Sequence, residues 1–463
     1  MKTIKLLFFV FFFTNLSFAQ CYTTVKTIAS ATIGLHTDGS LWGWGYNYSS
    51  ILGLGLGVET FDTLFQNTQI GTVNDWSPKY SMYKHVLAIK NNGSLWSWGF
   101  NFDGECGNGT SGQQNFVLAP QQIGTTTWQD IATGLSYSLG VQTDGTLWAW
   151  GDNGFGQLGN GTTTDSNIPI QIGTGNNWSK VFTIDRTSFA IKTDGTLWSW
   201  GLPGFILGRT NGNYDVPGQV GIDTTWASVA PSTTCGMAIK TNGTLWVWGQ
   251  NGTDTYIPYY GNGQVDTNNY ENNPTQVGTD TDWKSISTDQ YINFRALKTN
   301  GTVWGWGQNT NGILGDGTTS PKYTPVQIGV DTDWVYLNSY SARVFALKQN
   351  NSLYNWGYIF PNYITSPAQN GTDCSLSTVT HNTNHLIKVT PNPTRDKLNL
   401  LFDQTVSIKE IFIYNALGKI ITSIEPNPNE IEAQIDLTFY ANGLYFMLVK
   451  SDLGNDTIKI IKN

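Results

Sequence analysis

Four histidines, four cysteines and a few closely spaced aspartates are the side chains of this 463-residue chain that could do chemistry. His36 lies two residues before an Asp-Gly turn, where comparable segments carry Lys90, Lys192 and Lys240, and it reads as an exposed strand residue. His85 falls in the variable strand before another such turn. His381 and His385 stand four apart, but no helical pattern surrounds them to bring both onto one face, so the spacing says little about a metal. Asp280-Thr281-Asp282 and Asp331-Thr332-Asp333 offer paired carboxylates. Calcium is the weaker reading of these pairs and turn chemistry at the start of a strand the stronger. The run Gly53-x-Gly55-x-Gly57 has no helical pattern after it, so it is not a phosphate loop. No Cys-x-x-Cys occurs, and no set of residues supplies a nucleophile, a base and an orienting group. The chain therefore reads as non-enzymatic, with no catalytic residue, metal site or cofactor assigned.

The residue type that does recur at fixed spacing is tryptophan. Trp-x-Trp-Gly appears as Trp42/Trp44, Trp96/Trp98, Trp148/Trp150, Trp198/Trp200, Trp246/Trp248 and Trp304/Trp306, with a worn copy at Tyr354/Trp356. The second aromatic advances by 48 to 58 residues, a period that marks a repeat architecture. A turn dipeptide precedes every pair: Asp38-Gly39, Asn92-Gly93, Asp144-Gly145, Asp194-Gly195, Asn242-Gly243, Asn300-Gly301 and Asn350-Asn351. These residues suit a type I′ hairpin, so the Trp pair should occupy the hairpin's second strand, both indoles on one face. The residue between them is small in most copies (Gly43, Ser97, Ala149, Ser199, Gly305), which suggests that one blade's indoles press on the next blade's small residues. Each repeat adds a strand with Gln, such as Gln122-Ile123-Gly124, and a fourth strand opened by a lone Trp. The lone residues are Trp76, Trp128, Trp178, Trp226, Trp283 and Trp334, with Val25 in the first copy. Four short strands per repeat and seven repeats describe an all-β, seven-bladed β-propeller.

The paired and lone positions account for all 19 tryptophans, which leaves none as an off-pattern platform for a ligand. The loops after the Trp pairs carry irregular aromatics instead: Tyr46, Tyr48, Phe100, Phe102, Phe155 and Phe205. The long fifth repeat adds Tyr256, Tyr259 and Tyr260. Exposed aromatics on loops held by a rigid scaffold are a common recognition design.

Charged residues form 13% of the chain and the formal net charge is −8. Average proteins carry roughly 25% charged residues, so the surface here is neutral and polar. No basic patch is visible, which argues against nucleic acid as a partner. Residues 1–20 read as a secretory signal peptide: Lys2 and Lys5 precede an apolar core from Leu6 to Phe13 that is too short to span a bilayer. No later run is long enough for a transmembrane helix.

The third repeat, Trp150-Gly151-Asp152-Asn153-Gly154-Phe155-Gly156-Gln157-Leu158-Gly159-Asn160-Gly161, resembles the core motif of the regulator of chromosome condensation family. The first, second and sixth repeats keep parts of it, and the likeness runs over about residues 22–373. It implies a seven-bladed ring and says little about function. That family's founding member is a nuclear exchange factor that binds chromatin, and neither activity carries over to an acidic, exported chain. In a closed ring, Cys21 and Cys374 should lie where the first and last blades meet, and export would permit a disulfide between them. Cys106 and Cys235 read as buried free thiols.

From Ile387 the pattern changes to alternating apolar strands: Ile411-Phe412-Ile413-Tyr414, Ile435-Asp436-Leu437, Leu444-Tyr445-Phe446 and Lys459-Ile460-Ile461. This suggests a small immunoglobulin-like β-sandwich at residues 386–463, after a linker at 375–385. With Val389-Thr390-Pro391-Asn392-Pro393, the set resembles the type A sorting domain of the type IX secretion system. The resemblance implies the type IX machinery as a partner and a secreted or cell-surface location. The propeller, at residues 21–374, is then expected to bind an extracellular protein. A carbohydrate-binding surface protein is the alternative, and a secreted enzyme the weakest reading.

Overall fold

The computed structural model describes residues 21–28, 31–56, 64–210, 212–250, 261, 270–289, 293–359, 362–370, 387–402, 408–415, 420–424, 426, 432–451 and 454–462. The expected signal peptide, the linker, Cys374, Tyr256, Tyr259 and Tyr260 lie outside them. Contacts divide the chain into two units, residues 1–375 and 376–463.

The first unit is built from seven antiparallel blades of four strands each. Five blades are separate sheets. The second and third are joined into one seven-stranded sheet because Phe116–Thr133 serves as last strand of one and first strand of the next. The first blade runs Tyr22–Thr27, Ala31–His36, Leu41–Tyr46, Leu64–Gln69, in that spatial order. The lone-Trp strand is therefore the first of each blade rather than the fourth, and the Gln strand is the outermost. All seven first strands line one axial cavity of about 260 Å³. The ring closes where the first blade meets the last. There the Tyr336 hydroxyl donates to the Val25 carbonyl at 2.9 Å, and the Thr27 N–H donates to Asn338 Oδ1 at 3.2 Å.

The lone-aromatic slot of the first blade belongs to Tyr22, not Val25. Tyr22 pairs with His36 as Trp76 pairs with Lys90 and Trp334 with Lys348, whereas Val25 sits opposite Gly34 as Leu337 sits opposite Ala346. Cys21 immediately precedes that slot, and its carbonyl accepts the Thr37 N–H at 2.9 Å.

The hairpins also differ from the type I′ expectation. Gly39 adopts φ +84°, but Asp38 stays out of the positive-φ region, and the Gly39 N–H bonds back to the His36 carbonyl at 3.0 Å. That pattern is a type I turn closed by a glycine bulge. It frees the Asp or Asn side chain for a relay: Asp144 Oδ1 accepts from the Thr146 N–H and hydroxyl, and Thr146 Oγ1 accepts the Trp148 indole N–H at 2.8 Å.

The seam between blades is made by the second Trp of each pair. Trp98, Trp150, Trp200, Trp248 and Trp356 are fully buried. Their indole N–H groups donate to carbonyls in the loop of the preceding blade: Trp98 to Ile51, Trp150 to Glu105 and Trp200 to Gln157, each at 2.9 Å. A loop glycine lies flat against each ring. At Gly159, with φ +80°, a Cβ would stand 2.6 Å from Trp200 Nε1. The indoles thus press on the previous blade's loop, not on the small residues between the pairs. Those small residues make room within their own blade; Gly43, for example, faces Leu52 and Ile70.

The second unit contains a three-stranded and a four-stranded antiparallel sheet. Leu398 and Leu400 of one and Ile411, Ile413, Met447 and Val449 of the other share a single apolar core, so the sheets stack as a sandwich.

Candidate functional site

One end of the ring carries the long loops after the Trp pairs. In the first, second, third and sixth blades their shape is set by the asparagine of the repeat motif, an amide that can donate and accept at once. Asn153 is fully buried. Its Oδ1 accepts the Leu158 N–H at 3.0 Å, and its Nδ2 donates to the carbonyls of Thr162 and Thr164 at 2.9 and 3.0 Å. Asn309 makes the same set with Leu314 and the carbonyls of Thr318 and Ser320; Asn101 accepts from Cys106 and donates to the Thr110 carbonyl, and Asn47 holds Leu52. The motif is a loop brace.

The structure places the described candidate aromatics of the loops in two environments. Tyr48 is 61% exposed, Phe155 44%, Phe205 40% and Tyr46 37%. Phe155 carries the Arg186 guanidinium 4.9 Å above its ring, and Arg186 is in turn 3.8 Å from Asp152. Phe100 and Phe102 instead stack on each other at 4.1 Å and pack against Phe116, forming a roof over the second blade. Between Phe102 and Phe155 lies an acidic stretch. Burial, followed by the nearby Asp152 and Asp165, raises the Asp103 carboxyl above the usual range.

Several side chains with chemical potential are structural here. His85 is fully buried, with Nε2 2.7 Å from Ser138 Oγ, and burial drives its pKa down to about 3. The Ser138 hydroxyl donates to the Glu105 carbonyl at 2.8 Å, so its proton is not available to the imidazole and the pair is no nucleophile. His36 is half-buried rather than exposed. It stacks on Trp42 at 5.0 Å and meets Tyr22 edge-on. Cys106 and Cys235 are buried free thiols.

At the opposite end, the Asp-x-Asp pairs serve as clamps. Asp280 and Asp282 hold the Lys298 ammonium, and Asp331 and Asp333 hold that of Lys348. Each ammonium lies over two rings: Lys298 is 4.6 Å from Trp283 and 4.7 Å from Trp304. Lys90, Lys192 and Lys240 sit the same way. The lysine two residues before five of the seven turns is the sequence signal for this stack.

Two further groups carried no signal in the repeat pattern. Glu105 is fully buried where the next blade has Gln157, and burial pushes its pKa up to about 8. Its Oε2 accepts the Asp103 N–H at 2.9 Å, as Gln157 Oε1 accepts that of Phe155. Arg295 is fully buried opposite Gly305, with its guanidinium 3.7 Å from Asp289 and donating to the Ile313 carbonyl at 2.8 Å.

Among known proteins, the family model for the regulator of chromosome condensation (RCC1) repeat matches residues 92–141, 144–191 and 300–336, and a second RCC1 repeat model matches 128–157. The model for a secretion system C-terminal sorting domain matches residues 388–463. The Arabidopsis thaliana ultraviolet-B receptor UVR8 is 26% identical over 155 residues, 32% of this chain and 34% of that protein. Mouse protein RCC2 is 38% identical over 92 residues, 19% of this chain and 17% of that protein. The chain thus spans about a third or less of these relatives. Human WBSCR16 superposes with a TM-score of 0.60 at 19% identity, covering 71% of this chain and 87% of that one. Yeast RCC1 (Prp20), solved bound to Kap60, gives 0.60 at 16%, covering 80% and 87%. These likenesses establish the propeller fold.

Proposed function

We propose that this chain, which carries RCC1 repeats followed by a secretion system C-terminal sorting domain, is an exported, non-catalytic scaffold that binds an extracellular protein through the loop end of its propeller. The observation that carries this reading is the exposure of Tyr46, Tyr48 and Phe155 on loops whose backbones are pinned by the buried Asn47 and Asn153, and of Phe205 on a loop that has Pro203 in that place and is held by the Ser199 hydroxyl donating to the Leu207 carbonyl. Rigid aromatic anchors lose little entropy on binding, which is why they dominate interface energetics. The sorting domain, with residues 1–20 as signal peptide, accounts for delivery by the type IX machinery to the surface or the medium. A Cys21–Cys374 bridge would lock the ring outside the cell. Two observations support it: Cys21 is disulfide-bonded, and Cys106 and Cys235 are free thiols.

The test is affinity capture from the extracellular fraction with the full chain and with Tyr48→Ala, Phe155→Ala and Phe205→Ala. A partner captured by the parent chain and lost, by tenfold or more, in the variants supports the reading. A partner captured equally by all four chains overturns it.

A further inference from the structure

The lysine stack at the hairpin end is missing from two of the seven blades: in the first the His36 ring takes its place on Trp42, and in the third nothing does. In the second, fourth, fifth, sixth and seventh blades an ammonium caps the lone aromatic and the first aromatic of the pair. In the third blade the position opposite Trp128 is Gln142. Its amide turns away to donate to Thr126 Oγ1 at 3.0 Å. The clamping carboxylates are absent as well, since Thr125-Thr126-Thr127 stands where the seventh blade has Asp331-Thr332-Asp333. Trp128 and Trp148 here line a cleft of about 470 Å³ at the outer rim between the second and third blades. Small-molecule sites usually measure roughly 300–1,000 Å³.

The rest of the lining is uncharged. Gln121 and Asn108 supply amides joined at 3.1 Å, Gln142 supplies a third, and Pro169 forms an apolar wall. Amide groups both donate and accept hydrogen bonds, and indole faces pack against apolar C–H surface. A cation would find no carboxylate of the kind that backs four of the five lysines. A ligand with hydroxyls on its edge and C–H groups on its face matches every lining element. We propose that this cleft is a binding site for a neutral saccharide, distinct from the exposed loop aromatics Tyr46, Tyr48, Phe155 and Phe205 and independent of that reading.

The discriminating variant is Gln142→Lys. Lysine stands at this position in five sister blades, so the substitution fits the fold while capping the indoles with a cation. The full chain is screened on an array of neutral oligosaccharides, and the best ligand is titrated calorimetrically. The expected result is saturable binding that weakens at least tenfold in Gln142→Lys, with an unchanged melting temperature and unchanged binding in Phe155→Ala. Absence of any neutral glycan ligand, unchanged affinity in Gln142→Lys, or displacement of the glycan by n-butylammonium each overturns the proposal.

Discussion

The seam between blades and the hairpin end of each blade are made from the same residue type, yet they obey different physics. At the seam, Trp150 is fully buried and its N–H meets a backbone carbonyl of the neighbouring blade. At the hairpin end, Trp148 is only partly buried and its N–H meets a hydroxyl of its own turn. The first arrangement joins blades and tolerates no change of shape. The second finishes a blade and leaves an aromatic face that side chains or ligands can cover. Two residues apart on one strand, the same indole is a structural joint in one case and an adaptable surface in the other.

Substitution at the two positions should separate them most clearly. Trp150→Ala removes a large buried side chain and is expected to cost about 3–5 kcal/mol in denaturant unfolding. Trp148→Ala is expected to cost roughly 1–2 kcal/mol, since part of its ring already meets solvent. Equal costs would erase the distinction.

The seam also carries a titratable weak point. Glu105, whose carbonyl receives the Trp150 N–H, has its pKa raised from 4.5 to about 8 by burial. The folded state thus holds a proton that the unfolded state releases near 4.5, so stability is full below that pH and is lost as pH rises to about 8. The loss is on the order of 4–5 kcal/mol. Glu105→Gln, which copies Gln157, should flatten the stability profile across that window and raise the melting temperature at pH 8.5. A parent chain with a flat profile from pH 5 to 8 would contradict the assignment.

The loop brace should come next in size. Asn153→Ala leaves a buried N–H and two carbonyls without their partners and is expected to cost roughly 2–3 kcal/mol, with faster amide exchange at Leu158. At the hairpin end, Asp223→Asn weakens a clamp whose carboxylate is half-exposed, and less than about 1 kcal/mol is expected, shrinking further in salt. A cost above that of Asn153→Ala would place the rigidity of the ring at the wrong end.

The sequence made the period, the seven blades and the loop aromatics legible, because indoles, Asp-Gly turns and Gln-Ile-Gly segments recur in register. What it hid has local causes. The bulge after each lone Trp shifts the strand phase, and Tyr22 is no tryptophan, so the sequence pattern alone puts the first blade's slot three residues late, at Val25. The glycine bulge of the hairpins uses the same dipeptides as a type I′ turn. The partner of each seam indole is a backbone carbonyl, which has no signature in side-chain pattern. Gln142 was visible as a break in the lysine series, but only the lysine stack gives the break a meaning.

The central claim is that the seam tryptophans belong to the scaffold and that protein recognition falls to the loops that interrupt the period. Hydrogen–deuterium exchange on the partner-bound chain tests it most directly. The account predicts new protection at residues 46–56, 152–165 and 202–208, with the hairpin turns unchanged. Protection confined to the hairpin turns around Asp144 and Asp194, with those loops exchanging as in the free protein, would contradict it.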